Sequence, residues 1–187
     1  MVRPLRNIFL EIPYHITQRG NYRQQVFPGD EDYRQYPALL WEYAGRYRLE
    51  IWAYCLMPNH MGNLLQCRYF ATPLDEAYHS RAVRYVELNP VRAKLVTAPE
   101  DWPWSSAVPH LHGDRLPGTS FLPAEALANW REYLAVEDPR GEVELIRRRT
   151  LRGRPLGTDA FISHLETLAG KPLNRERRRP RKKKIDD

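Results

Sequence analysis

The chain has 187 residues, 42% of them hydrophobic and 11% aromatic, with a formal net charge of +6. That length and composition specify a folded chain with one good core and room for a small appended unit. They exclude a membrane span, because no run of about 18 apolar residues occurs. Met1-Val2-Arg3-Pro4-Leu5-Arg6 has no apolar h-region, so no signal peptide is expected. The two cysteines, Cys55 and Cys67, have no Cys-x-x-Cys spacing and are expected as reduced cytosolic thiols rather than zinc ligands. Five of the six net positive charges fall in residues 175–187, where eight Arg or Lys stand against Glu176, Asp186 and Asp187.

In chain order, Ile12 to Gln18 is aromatic and β-branched and reads as a strand that ends in the turn Gly20-Asn21. Arg19, Asn21 and Arg23 then fall in a polar loop open to phosphates, and His15 reads as a satisfied core histidine. Asp30 is an N-cap candidate for a helix over Glu31 to Arg46, with Tyr33, Tyr36, Leu40 and Tyr43 on its apolar face. Pro37 inside that pattern removes a backbone hydrogen bond at a cost of about 3 kcal/mol, which predicts a kink or an interruption. Leu49 to Leu56 reads as a second strand, broken by Pro58 just before His60. His60 is either a turn residue after Pro58-Asn59 or a metal ligand, and one imidazole does not build a metal site.

Thr72, Pro73 and Asp75 form a helix-start pattern, which predicts a helix from Pro73 to Leu88, closed by Asn89-Pro90. Tyr78 and Tyr85 share its apolar face with Ala82 and Val86, which favours packing over nucleophilic chemistry for both; Tyr69 lies on an expected strand. Asn89 caps a second short helix, and Trp102 and Trp104 are expected to cover these helices. Residues 107–122, rich in Pro, Gly and His, read as a linker, and His110-x-His112 within it has no strand to present two ligands to one ion. Pro123 to Ala135 reads as a helix with Leu127, Trp130, Tyr133 and Leu134 inward. Two further helical patterns lie between Pro139 and Ala169, separated by residues 151–157; Thr158 caps the second, with Phe161, Ile162, Leu165 and Leu168 on its apolar face and Gly170 ending it. Such a pair with clustered arginines is compatible with a helix-turn-helix DNA reader and equally with a structural hairpin. The run from Arg175 to Lys184 is too charged to pack and is expected to be disordered when free, either as a phosphate-binding arm or as a solubilising tail.

Several of these stretches resemble one family. Ala53-Tyr54-Cys55-Leu56-Met57-Pro58-Asn59-His60, the Tyr14-His15-Ile16-Thr17 strand leading to Arg19-Gly20-Asn21, Pro73-Leu74-Asp75-Glu76-Ala77-Tyr78, Leu88-Asn89-Pro90-Val91-Arg92-Ala93, Glu100-Asp101-Trp102-Pro103-Trp104-Ser105-Ser106 and Gly153-Arg154-Pro155-Leu156-Gly157 are similar to motifs of the IS200-like, single-tyrosine transposases, specifically the REP-associated tyrosine transposases. In that family one residue separates His60's counterpart from a second histidine, and a helix with the nucleophilic tyrosine follows. Here Gly62 stands at that place and the next family motif begins at once. The resemblance therefore implies an internal deletion after Met61 that removed one metal ligand, the nucleophile and a βα pair.

The resemblance implies an α+β fold, a truncated ferredoxin-like core with a helical C-terminal half and strands near 12–18, 49–56 and 64–71. The expected organisation is a core over 1–106, a linker over 107–122, a helical DNA-binding region over 123–174 and a basic tail over 175–187. Family activity is cleavage and rejoining of hairpin-forming single-stranded DNA through a covalent phosphotyrosine, with Mg or Mn, usually by a dimer. For this chain the expectation is DNA binding without cleavage, with no catalytic residue retained, His60 as a lone metal ligand and no tightly bound ion. The expected DNA contacts are Arg19, Asn21, Arg23, Arg92, Arg152, Arg154, Arg177, Arg178, Arg179, Arg181, Lys182, Lys183 and Lys184. The expected partners are single-stranded or hairpin DNA, a homodimer stays open, and the expected place is the bacterial cytoplasm, on the nucleoid when DNA is bound. A nuclease with a rebuilt site and a decaying gene product are the alternatives.

Overall fold

The aromatic and β-branched residues Tyr14-His15-Ile16-Thr17 form a strand, β1 (Tyr14–Thr17), in the computed structural model, which describes residues 8–17, 25–58, 70–117 and 124–174. β1 pairs antiparallel with β2 (Phe70–Pro73), in the register Tyr14 with Pro73, His15 with Thr72, Ile16 with Ala71 and Thr17 with Phe70. Among the described residues the sheet has these two strands, and helices make up most of the rest, a mixed α and β architecture. Two strands alone are marginal in water. The stability of this pair comes from what packs on it.

The segment 49–56, expected as a strand, joins no sheet. It meets the loop around Ser105 through an isolated bridge from Cys55 and through bonds from Leu56 N to Trp104 O (2.8 Å) and Ser106 N to Tyr54 O (2.9 Å). Trp102 adds an indole bond to Leu56 O at 2.9 Å, so this segment's backbone partners come from the tryptophan loop instead of from a neighbouring strand. Of the strand expected at 64–71, Phe70 and Ala71 lie in β2; 64–69 fall outside the described residues.

Helix α1 (Asp30–Tyr47) starts one residue before the expected position, with Gly29 as the cap, and Asp30, Glu31 and Asp32 complement the positive end of its dipole. Pro37 does not interrupt it. Tyr33 is held by stacking on Phe27 (4.6 Å) and Trp104 (5.0 Å), and Ala44 is buried near the other end, so both halves are fixed to the core across the missing hydrogen bond. Trp102 and Trp104 therefore cover α1, not the helices after residue 79 as expected. Tyr43, expected inside, is 49% exposed and stacks on Tyr47; Ala44 takes the buried position.

The helix expected at Pro73 begins later. Pro73 and Asp75 bond the C-terminal part of the chain instead, through Leu156 N to Pro73 O (3.0 Å) and Asp75 N to Leu156 O (2.9 Å), so these backbone groups are not free to start a helix. Thr72 is a fully buried strand residue rather than a cap. Asp75 caps a single 3₁₀ turn, Glu76–Tyr78, and α2 (His79–Glu87) and α3 (Asn89–Arg92) follow.

Within the stretch read as a linker, α4 (Ala107–Leu111) forms and buries Ala107 and His110. The helix expected over 123–135 appears as α5 (Ala124–Ala128) and α6 (Trp130–Ala135), with Leu127, Trp130 and Leu134 buried as expected. Helices α7 (Glu142–Arg152) and α8 (Asp159–Ala169) are the last among the described residues; Thr158 caps α8 by accepting from Phe161 N at 3.2 Å. Ile162 and Leu165 are buried, whereas Leu168, expected on the apolar face, is exposed.

Helix α2 lies between two apolar clusters, Val83 with Leu127, Trp130 and Leu134, and Ala82 with Leu74, Ile146 and Leu156. At its end the carboxylate of Glu87 is completely buried. It accepts from Ser106 Oγ (2.6 Å) and Trp130 Nε1 (2.7 Å), and His110 Nδ1 lies 2.6 Å from Oε1. One side chain thereby ties α2 to α4, α6 and, through Ser106 Oγ, which accepts from Tyr54 N at 3.2 Å, to Tyr54. Replacing Glu87 with Ala orphans these donors in a dry core. The expected loss is about 3 kcal/mol or more, read from chemical denaturation, and a loss below about 1 kcal/mol contradicts the tie.

Candidate nucleic-acid interface

Helix α7 presents Arg147, Arg148, Arg149 and Arg152 within a turn and a half. Ile146 and Thr150 are buried against the sheet and α2, which leaves Arg148 and Arg152 on the exposed side and Arg149 half-buried at its edge. The helix then stops in a left-handed residue, Gly153 (φ 58°), with Gly153 N donating to Thr150 O and Arg154 N to Arg149 O, both at 3.0 Å. This paired closure is the Schellman end, for which glycine is favoured because a Cβ is strained at that φ. It folds Arg154 back beside Arg149. Pro155 and Leu156 are buried directly after it, which anchors the reversal.

The result is a hollow of about 180 Å³ lined by Arg148, Arg149, Arg152, Arg154 and Asn174. No carboxylate is among the described lining residues. Arg148 and Arg152 are exposed at its mouth, while Arg149 and Arg154 are half-buried. Arg149 donates to Asn174 Oδ1, and Asn174 is held in turn by Glu166, which accepts from Leu173 N (2.7 Å) and Asn174 N (3.2 Å). Burial, and after it the charges of Arg148 and Arg154, lowers the Arg149 pKa from its ordinary value, with Arg152 adding to the effect. Four like charges thus share one small volume. Arg147, one residue before, faces Glu144 at 3.7 Å and does not line the hollow.

The cradle is seated by side chains from the N-terminal half. Thr72 Oγ1 donates to Arg149 O at 3.4 Å, and His15 Nδ1 lies 2.9 Å from Thr150 Oγ1. His15 is buried, its ring meeting Tyr85 edge-on at 5.5 Å, in keeping with the core role expected of it. After the cradle, Thr158 donates to Asp75 Oδ2 through its backbone N–H (2.9 Å) and its hydroxyl (2.8 Å). Burial pushes the Asp75 carboxyl up, but these bonds and one from Glu76 N outweigh it and hold the group below its usual range. Gly157 fits against this joint only without a side chain, since a Cβ there would lie 2.5 Å from both Asp75 Cβ and Phe161 Cδ1.

Of the DNA contacts expected from sequence, Arg152 and Arg154 meet in the cradle. Arg92 is placed elsewhere: it donates to Tyr85 O and to Asn89 Oδ1 (3.0 Å), lies 4.4 Å over the Tyr85 ring and faces Asp138 at 3.7 Å. Buried Arg84 shares Asp138 and also donates to Tyr133 O and Val136 O. These acceptors hold the half-buried Arg92 away from the cradle. Arg19, Asn21, Arg23, His60 and the tail residues Arg177 to Lys184 lie outside the described residues. Sequence reading missed Arg148, Arg149 and Asn174; the signal for the first two was the Arg147-Arg148-Arg149 triplet one turn before Arg152.

As for the Mg or Mn ion that the resemblance implies, the segment around His60 offers one imidazole, and Gly62 has no side chain to add a second. That donor set does not fit a two-histidine site, and no chemical step is derived through a metal. Among the described residues no group of three or more His, Cys, Asp or Glu converges to hold one, and no helix is long and apolar enough to cross a membrane. Tyr78 and Tyr85 pack against the Leu74, Ala82, Ile146 and Leu156 cluster.

Residues 9–73, which hold β1, α1 and β2, match the family of IS200-like transposases. The match covers a little over a third of the chain and includes both strands on which α7 rests. No curated protein and no solved structure matches the chain.

Two expectations follow for the seat of the cradle. Gly157→Ala is expected to cost on the order of 1–3 kcal/mol through overpacking, seen as a lowered Tm; an unchanged Tm contradicts the tight approach of Asp75 and Phe161. Burial first, and the Arg92 charge second, lower the His15 pKa from 6.5 to about 4, so between those values the unfolded chain binds the extra proton. The resulting stability is complete above about pH 6.5 and is lost as pH falls toward 4. Between pH 7.5 and 4.5 the native chain is expected to lose on the order of 2 kcal/mol more than a His15→Gln variant, measured by denaturation at both pH values.

Proposed function

We propose that this chain is a DNA-binding protein of the REP-associated, IS200-like transposase group that has lost its cleavage centre. The observation that carries the reading is the arginine cradle, four guanidinium groups around one hollow with no carboxylate among its described lining residues. Guanidinium forks match phosphate oxygens two at a time and keep their charge at any relevant pH. Concentrated positive charge seated on the transposase-like segment is what a strand-binding protein needs for its phosphate contacts. The loss of cleavage is supported by Gly62, which leaves His60 without the second imidazole, and by the direct junction at Met61-Gly62 where the family carries its tyrosine helix.

On this reading the N-terminal region is a truncated ferredoxin-like core reduced by the deletion, and the ligand is single-stranded or hairpin DNA. The protein works in the bacterial cytoplasm and joins the nucleoid through DNA. A second copy provides one way to cover strand edges left open by a missing βα pair. The basic residues Arg177 to Lys184, with Arg19, Asn21 and Arg23, extend the phosphate contacts beyond the cradle. Because phosphate contacts position and do not specify, the cradle supplies affinity and register but not sequence choice.

The test is a gel-shift assay with labelled hairpin single-stranded DNA, with and without Mn²⁺. A retarded band with intact DNA is expected, weakening with salt by a slope of about 0.7 per phosphate contact on a log–log plot. Replacing Arg148 and Arg152 together by Gln is expected to weaken binding about tenfold or more and to reduce that slope by about one to two. Absence of binding by the folded chain overturns the proposal. Nicked or covalently attached DNA that disappears in His60→Ala overturns the loss of cleavage and establishes a rebuilt nuclease site.

A further inference from the structure

Helix α8 ends as α7 does. Gly170 takes the left-handed conformation (φ 63°), with Gly170 N donating to Thr167 O (3.2 Å) and Lys171 N to Glu166 O (3.3 Å). The chain that leaves this closure then curls around the side chain of Glu166. Its Oε1 accepts from both Leu173 N (2.7 Å) and Asn174 N (3.2 Å), so one carboxylate oxygen holds two successive backbone donors. Donors in an irregular turn have no ladder to join, and an ionised acceptor gives them bonds stronger than a neutral one does.

What this turn delivers is Asn174. Its Oδ1 accepts from Arg149, and the two residues share the wall of the hollow. The backbone of Arg149 is fixed separately, by Thr72 Oγ1 donating to its carbonyl, so the Asn174 amide bears on the guanidinium alone. The dependence therefore runs from Glu166 to the Asn174 backbone, and from the Asn174 side chain to the Arg149 guanidinium. Glu166 itself is half-buried and is not one of the residues that line the hollow.

The charge of Glu166 and its position act on a nucleic-acid strand in opposite directions. By charge alone, an acidic residue beside a phosphate-binding surface repels the strand, and its removal strengthens binding. By position, its removal frees two N–H donors, loosens the turn after α8 and takes the orienting acceptor from Arg149. Salt screens the first effect within about 10 Å at 0.1 M ionic strength. It does not screen the second, because a loosely held guanidinium has to be ordered by the ligand at the ligand's cost in affinity.

We infer that Glu166 is a positioning residue for nucleic-acid binding, an acidic side chain that supports the binding of a polyanion by holding Asn174 and, through it, the Arg149 guanidinium. This rests on the nucleic-acid reading above and deepens it.

The experiment measures affinity for one labelled single-stranded hairpin DNA by fluorescence anisotropy at fixed ionic strength. Glu166→Gln and Glu166→Ala remove the same charge, but glutamine keeps a carbonyl oxygen with two lone pairs for the two N–H donors. The Gln variant is expected to bind within about twofold of the wild type and the Ala variant about threefold or more weakly. Hydrogen exchange at the Leu173 and Asn174 amides is expected to quicken about tenfold in the Ala variant and to stay near the wild-type rate in the Gln variant. Asn174→Ala is expected to weaken binding as much as Glu166→Ala, and the double variant no further, since the two act on Arg149 in series. Thermal unfolding checks that each variant is folded. Asn174→Ala leaves the backbone donors to Glu166 in place, so it carries the test by itself if Glu166→Ala does not fold, and an unchanged affinity in it overturns the inference. Equal affinities of the Gln and Ala variants, or additive losses in the double variant, overturn the positioning role and leave the DNA-binding proposal standing. Absence of binding by the folded wild-type chain overturns both.

Discussion

Residues 73–75 and 156–158 form a clasp between distant parts of the chain, and the position of the cradle depends on it. Leu156 N donates to Pro73 O, Asp75 N donates back to Leu156 O, and the Asp75 carboxylate takes both donors of Thr158. Hydrogen bonds of this kind contribute about 1 kcal/mol each. The burial of Leu74, Ile146 and Leu156 in one cluster contributes about 1.5–3 kcal/mol per side chain. The apolar cluster is thus the larger source of stability, and the polar clasp fixes the register in which it forms. With Leu156 fixed and Ile146 in the same cluster, α7 has one way to lie over β1 and β2, and its arginines have one direction to face.

The arginines divide by what surrounds them. Arg84 and Arg92 are enclosed by carbonyl oxygens and share Asp138, so their charges are answered inside the protein and hold α2 and α3 to the chain after α6. Arg148, Arg149, Arg152 and Arg154 surround a hollow with no carboxylate among its described lining residues. The same residue type therefore knits the helices together in one place and lines a surface hollow in the other. Glu87 shows the converse. Buried without an arginine among its hydrogen-bond partners, it is satisfied by donors from Ser106 and Trp130, with His110 Nδ1 beside it, and acts as a polar knot among apolar helices.

Periodicity located most helices, because α1, α6, α7 and α8 carry apolar stripes that local geometry turns inward. It failed where tertiary bonds overrode local signals. Thr72-Pro73-x-Asp75 has the composition of a helix start, yet Leu156 claims the backbone of Pro73 and Asp75 and delays α2 to His79. Leu49 to Leu56 has strand composition, but its bonds go to the tryptophan loop. Buried His110 shows how a Pro- and Gly-rich context hides a core residue: its partner Glu87 is 23 residues away and no local pattern points to it. Two members of the cradle, Arg152 and Arg154, were legible as clustered charge. Arg148 and Arg149 carried the same signal in the Arg147-Arg148-Arg149 triplet, whereas Asn174 had none, because it meets Arg149 only through the α8 end that Glu166 organises.

Crowding positive charges around one hollow opposes folding, since like charges repel and Arg149 is also partly desolvated. The fold keeps them together by fixing the backbone on both sides, with Ile146 and Thr150 before the reversal and Pro155 and Leu156 after it. An anion in the hollow removes that repulsion and binds only the folded arrangement, so its binding free energy adds to stability by mass action. The same arginines without the clasp and the Schellman turn are a loose basic surface. What the structure adds is their convergence on one hollow.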